Sequence, residues 1–502
     1  MDSSSETPAP GGHSLLEMSG IEKSFPGVRA LRAASFALRA GEIHALVGEN
    51  GAGKSTLIKI LTGVHRRDGG EIRLLGQPAE FRRPLEAQRA GIATIYQEFT
   101  LVPSLSVAAN IFLGHEAARR GLIDHGRERR AAAALLDRLG AALDPSALVS
   151  GLTVAQQQIV EVARALAREA RILVMDEPTA ALAPHEVAHL FAILRDLAGR
   201  GMGIVFISHR LDEVAAIADR ITVMRDGATI AVRRAGEFSR AELIELMVGR
   251  PLDQEYPKAP APIGPVHFEV RGLSGGFIED VSFAVRRGEV LGLAGLMGAG
   301  RTEVARLIFG ADRKRRGEIR LGGRPLEIAS PRAAIGAGVC LLTEDRRRQG
   351  LVLGASARDN FALPNLGSWS RLAWIDRRRE QERFAERTAG LNIRLSHPEQ
   401  RAEELSGGNQ QKLLVARWLE TNSEVVIFDE PTRGIDVGAK YEMYVLIGRL
   451  TALGKCVIVI SSELPELLGI CDRILVLRRG RVAGEVAEAA RATQEDLMAL
   501  AV

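Results

Sequence analysis

Cysteine is nearly absent from this chain. Three thiols, Cys340, Cys456 and Cys471, stand in 502 residues without metal-ligand spacing. That excludes a disulfide framework and a cysteine metal site, and it predicts free buried thiols in a reduced cytosolic compartment. Aromatic residues are scarce too, at 4%. No apolar run reaches the roughly 18 residues that span a bilayer, so a membrane role has to be borrowed from a partner. Residues 1–12 are Ser, Pro and Gly rich without an apolar core, which predicts a disordered tail and not a secretory leader. Neither sign of charge dominates. The 66 basic and 62 acidic side chains leave a net charge of +4, a solvated surface for which no nucleic-acid partner is expected.

What the chain does contain is a long internal repeat. Gly48 recurs as Gly295 and Gln97 as Glu344, both 247 residues on. Asn110 recurs as Asn360 at 250, and Leu152, Asp176 and His209 recur as Leu405, Asp429 and Ser462 at 253. Two small insertions account for the drift, so each half corresponds along its whole length. A repeat this long means two domains and not a solenoid. The expected organisation is a first domain at 13–250, a Pro-rich linker at 251–265 and a second domain at 266–502. No added regulatory module is expected after about Val486.

Ile43 to Val47 is a short apolar run bounded by glycines, as in a buried parallel strand. GENGAGKST comes next at 48–56, and a helix is expected from about Thr56 to Gly63. In that context the backbone of Gly48, Glu49, Asn50, Gly51, Ala52 and Gly53 can wrap an anion. Lys54 then reaches the outer phosphates of a nucleotide, Ser55 a Mg²⁺ ion, and Thr56 continues the helix. LVMDEPT at 173–179 is an apolar strand ending in two acids. Asp176 is placed to hold Mg²⁺, and Glu177 to orient and deprotonate water. Alone, such a strand reads equally well as capped; its recurrence as Asp429 and Glu430 decides for chemistry. His209 ends the next strand, at the phosphate end. Gln97, in IYQEF, carries little signal apart from its mapped position.

The two copies are damaged in complementary places. The second loop, GLMGAGRTE at 295–303, keeps Gly295, Gly298 and Gly300 but has Arg301 and Thr302 where the first has Lys54 and Ser55. The second half instead carries LSGGNQQ at 405–411, where the first has LTVAQQQ at 152–158. Ser406, Gly407 and Gly408 open a helix and offer a hydroxyl and free N–H groups at its positive end.

Together these motifs resemble the ABC ATPase superfamily, and the tandem arrangement resembles the ATP-binding subunits of bacterial monosaccharide importers for ribose, xylose, arabinose or galactose. FPGVRAL at 25–31, TEDRRRQGL at 343–351, DEPTRGIDVGAK at 429–440 and SSELPE at 461–466 carry the likeness, which runs from about Leu16 to Val486. The resemblance implies an α/β fold: two tandem nucleotide-binding domains, each with a core of mainly parallel strands and a helical subdomain. It implies ATP and Mg²⁺ as cofactors, with Gln97 among the Mg²⁺ ligands. Head-to-tail pairing of the halves would join Lys54, Ser55, Gln97, Asp176, Glu177 and His209 with Ser406, Gly407, Gly408 and Asp436, and Phe25 would stack on adenine. The other site would hold Arg301, Thr302, Glu344, Asp429, Glu430 and Ser462 opposite Thr153, Val154, Ala155 and Ala183. One competent and one degenerate site result. The retained Glu430 fits poorly and leaves two readings, slow turnover or a strand cap.

The implied partners are two transmembrane permease subunits and a periplasmic or lipid-anchored sugar-binding protein, with this chain peripheral on the cytoplasmic face of the membrane. Two alternatives stand. One is a nucleoside importer, whose ATPase is similar. The other is a tandem ABC protein acting on ribosomes, against which the short linker and the degenerate site both argue.

Overall fold

The computed structural model describes residues 14–26, 28–96, 99–119, 122–179, 182–208, 210–249, 255–258, 261–371 and 374–502. The expected tail therefore lies outside the described residues. The chain divides near residue 252 into two compact units.

In the first unit a six-stranded sheet runs in the order Ala228–Arg234, Arg220–Arg225, Ile43–Val47, Gly203–Ile207, Ile172–Asp176, Ile92–Ile95. All neighbours are parallel except the antiparallel edge strand Ala228–Arg234. Every residue of Ile43–Val47 and Gly203–Ile207 is buried. Parallel strands covered on both faces have no polar face to present, which is why they read as unbroken apolar runs. A smaller antiparallel sheet is built on Ser14–Phe25, flanked by Val28–Arg39 and Gly69–Leu74. The expected helical subdomain consists of Val107–Phe112, His125–Arg138 and Val154–Ala167, with a small strand pair, Ala118–Arg119 and Leu122–Ile123.

The second unit repeats this plan. Its six strands run Arg481–Val486, Arg473–Arg478, Val290–Ala294, Cys456–Ile460, Val425–Asp429, Val339–Leu342, the same order position for position. Even single side chains recur. Buried Asn110 accepts from Val102 N at 2.7 Å and donates to Val102 O at 3.0 Å, and Asn360 does the same with Val352 at 2.8 and 2.9 Å. This pairing locates the first insertion, between Glu344 and Val352, where a one-turn π-helix, Arg346–Gly350, is formed.

One expectation needs adjusting. The helix after the first phosphate loop begins at Lys54, two residues early, because Gly53 in a left-handed conformation (φ 99°) already serves as its cap. Several residues of the expected linker make contacts in the second unit. Lys258 pairs with Asp472 at 2.8 Å, Tyr256 packs on Tyr444, and Gly264 N–H donates to Arg287 O at 2.8 Å, so these residues belong to the second unit. The three cysteines are free and buried, as expected.

Candidate active site

The first phosphate loop leaves directly from the central strand Ile43–Val47. A Cβ at Gly48 would collide with the Met224 carbonyl, and one at Gly53 would lie 2.7 Å from Leu31 Cδ2. Close packing of the loop, not mere flexibility, therefore demands glycine here. Lys54, 8% exposed, curls back so that its ammonium donates to Gly48 O at 2.7 Å and Glu49 O at 3.0 Å. The cation is thus held against the carbonyls of its own loop. Ser55 is exposed one residue further on, and Thr56 is half-buried.

Asp176 ends its strand two places across the sheet from the loop strand. Burial, and then the charge of Glu177, push its carboxyl above the ordinary value, while Lys54 opposes them. Glu177 itself stands in the left-handed region at φ 50°, with its N–H donating to Ile207 O at 2.9 Å. For a non-glycine residue this conformation costs about 1–2 kcal/mol, and such strain gathers at functional sites. Glu430 repeats it at φ 48°, with its N–H donating to Ile460 O at 2.9 Å. Backbone geometry at both acids is equal.

Around Glu430 the residue types depart from those of the first half. In the second unit Gly295, Gly298 and Gly300 keep the φ pattern of the first loop, at 151, 77 and 109° against 157, 87 and 99°. Arg301, however, is too long to fold onto its own loop. It reaches across the strand ends, donating to Ser461 O at 2.6 Å and pairing with Glu430 at 3.5 Å; the two side chains are 12% and 9% exposed. Ser462 donates to the other oxygen of Glu430 at 3.0 Å. Both residues that depart from Lys54 and His209 therefore converge on one carboxylate. Thr302 Oγ1 donates to Asp429 at 3.2 Å, and burial raises the Asp429 carboxyl to about 6. Leu296 and Met297 stand exposed at the loop tip, Met297 almost entirely, where the first loop has Glu49 and Asn50.

The signature segments both open helices in the same way. Ser406 caps Gly407–Glu420 and Thr153 caps Val154–Ala167, each through its hydroxyl. Their first helical turns differ, since Gly407 and Gly408 of one are Val154 and Ala155 in the other. Asp436 caps Val437–Ala452 through Ala439 N–H at 2.8 Å.

With this geometry in view, the description "ABC transporter" is met by a family model over residues 31–180 and again over 278–433. The chain belongs to the ABC transporter family. A ribose import ATP-binding protein, RbsA 3 of Rubrobacter xylanophilus, is 51% identical over 488 residues, covering 97% of this chain and 98% of that protein. A putative ribose/galactose/methyl galactoside import ATP-binding protein of Agrobacterium fabrum is 49% identical, again over 97% and 98%. A solved nucleotide-free ATP-binding cassette from an ABC transporter is 27% identical, covering 47% of this chain and 96% of that one at a TM-score of 0.42.

Not all sequence-predicted residues of this ABC protein are brought into view. Gln97 and His209 lie outside the described residues. Lys54, Ser55, Asp176 and Glu177 are gathered at the carboxyl end of one parallel sheet, and Arg301, Thr302, Asp429, Glu430 and Ser462 at that of the other. Phe25, 37% exposed at the end of its strand, rests edge-on against His65 at 5.2 Å. Glu344 is engaged in an ion pair with Arg433. Two features escaped the sequence. Phe277, half exposed beside Gly300 and Gly480, is an aromatic neighbour of the second loop; its only signal is its place before an apolar strand. Arg346 lies against Gly407, and nothing in a run of arginines announces that.

Proposed function

We propose that this chain is the ATP-hydrolysing subunit of a monosaccharide importer, with the first half's ATP turned over and the second half's held. The observation that carries the proposal is that Arg301 and Ser462, which stand where the first half has Lys54 and His209, both converge on Glu430.

In the first half Lys54 and the loop N–H groups bind the β- and γ-phosphates, and Glu177 orients the attacking water and takes its proton. Asp176 and Ser55 fit a divalent cation, because a second positive charge relieves both the burial and the Glu177 repulsion that raise Asp176. Mg²⁺, when bound there, neutralises charge on the phosphates. Gln97 and His209 complete the set, as the family pattern has them. Ser406, Gly407, Gly408 and Asp436 of the second half are assigned to the same nucleotide, and Phe25 to its adenine. The second nucleotide falls to Gly295, Gly298, Gly300, Arg301, Thr302 and Asp429, with Thr153 of the first half. Glu430 is a weaker base for proton transfer, because the Arg301 cation and the Ser462 hydroxyl both stabilise its charged form.

Among the described residues no helix is long and apolar enough to cross a membrane; the import reading assigns that role to two transmembrane permease subunits, with this chain on the cytoplasmic face and a periplasmic or lipid-anchored sugar-binding protein outside. Sugar specificity rests on the names of the relatives. Affinity capture from native membranes tests it. Recovery of a polytopic permease whose companion binding protein takes a pentose or hexose supports the proposal, and a companion that takes nucleosides replaces the sugar. Ribosomal proteins without a permease would overturn it.

A further inference from the structure

The second unit carries three residues more than the first between Glu344 and Val352, and the turn Arg346–Gly350 stands in this stretch. Asp345 caps the turn, accepting from Arg347 and Arg348 N–H at 3.2 and 3.0 Å. The turn lies along the signature helix: Arg417 donates to Gly350 O, and a Cβ at Gly350 would stand 2.9 Å from Leu414. Arg346 then projects to the start of that helix. A Cβ on Gly407 would stand 2.7 Å from its Nη2, one on Gly434 would stand 3.8 Å away, and its Nη1 lies 3.5 Å from Arg433 O.

This placement is electrostatically poor. A cation at a helix N-terminus opposes the helix dipole, at a cost of about 0.3–1 kcal/mol. Burial, and then Arg347, push the guanidinium below its ordinary value, and among the described residues no carboxylate forms an ion pair with Arg346. Stability therefore does not explain it. Position does. The guanidinium fills the joint between two segments: the signature turn Ser406–Gly408, and the loop Arg433–Gly434 that leads to Asp436. The helix starts touch there, since a Cβ on Gly408 would sit 3.6 Å from Ala439 Cβ.

We propose that Arg346 is a positioning residue for ATP hydrolysis, a wedge that sets the distance between the signature turn and Asp436. This rests on the reading that those two groups act on the nucleotide. The planar fork suits the task, since one nitrogen lies on Gly407 while another points at the Arg433 carbonyl. Misplacement by an ångström is enough to cost on the order of 10²-fold in rate.

The test compares Arg346→Ala, Arg346→Lys and Ser406→Arg in the purified full chain, recording kcat and KM for ATP together with thermal melting. Arg346→Ala is expected to lower kcat by about 10–100-fold with KM nearly unchanged and melting above the assay temperature, and Arg346→Lys to recover part of the rate. If Ser406→Arg abolishes turnover while Arg346→Ala leaves kcat intact, the wedge is refuted and the signature reading stands. If neither affects kcat, the signature reading itself falls and the wedge with it. A kcat loss in Arg346→Ala that only tracks loss of folded protein also refutes it.

Discussion

Replacing Glu430 by glutamine separates a catalytic base from a clamp. In this structure Glu430 faces Arg301 at 3.5 Å and Ser462 at 3.0 Å, with both charged side chains largely buried. Glutamine keeps an acceptor for Ser462 but deletes the charge, leaving Arg301 with the Ser461 carbonyl alone. Losing a charge-assisted contact of this kind costs about 1–3 kcal/mol. Taking about 2 kcal/mol, the second unit should melt roughly 4–8 °C lower, read by calorimetry of the full chain. Its kcat should stay within about twofold, whereas Glu177→Gln should lose about 10²–10⁴-fold, the usual worth of a general base. A Glu430→Gln variant that loses about tenfold or more in kcat while melting where the parent does would refute the clamp. Glu430 would then be a working base and the second half hydrolytic.

Neighbouring contacts give two further outcomes. The Asp429 carboxyl is raised from 3.8 to about 6, chiefly by burial, with Thr302 opposing and Glu430 adding to the rise. The folded chain thus holds this proton more tightly than the unfolded one. Its contribution to stability is complete below about pH 4 and is lost as the pH rises through about 6, a total loss of about 3 kcal/mol. Asp429→Asn should therefore raise the melting temperature at pH 8 and leave it unchanged at pH 4; equal shifts at both would contradict the assignment. Gly48→Ala drives a methyl into the Met224 carbonyl, so nucleotide affinity, measured with a fluorescent ATP analogue, should fall by about tenfold or more. Unchanged affinity would mean that the loop does not grip the phosphates.

Much of this fold is legible in the sequence because the signals are local. Ile43–Val47, Ile172–Asp176 and Gly203–Ile207 announce themselves as apolar runs, since both faces of each strand are covered. The phosphate loop is legible for the same reason: strand, glycines, lysine and helix are contiguous. Signals that cross the chain are not. Arg301, Glu430 and Ser462 are far apart in the chain, and only folding brings them onto one carboxylate, so the residues by themselves leave Glu430 with two readings. The turn Arg346–Gly350 hides in a charge run that looks like solvated surface. Its guanidinium acquires a role only when the strand order brings Gly407 and Gly434 beside it. The docking of the linker is hidden too, because proline content reports stiffness but not the surface on which a segment will lie, and Lys258 meets Asp472 from the far end of the second unit.

In the proposed mechanism one half turns ATP over and the other keeps it. A single-turnover measurement with radiolabelled ATP tests this directly, quenching the chain after one cycle and counting ADP and ATP retained per molecule. One ADP beside one intact ATP per chain is the predicted result. Two ADP per chain would contradict the account.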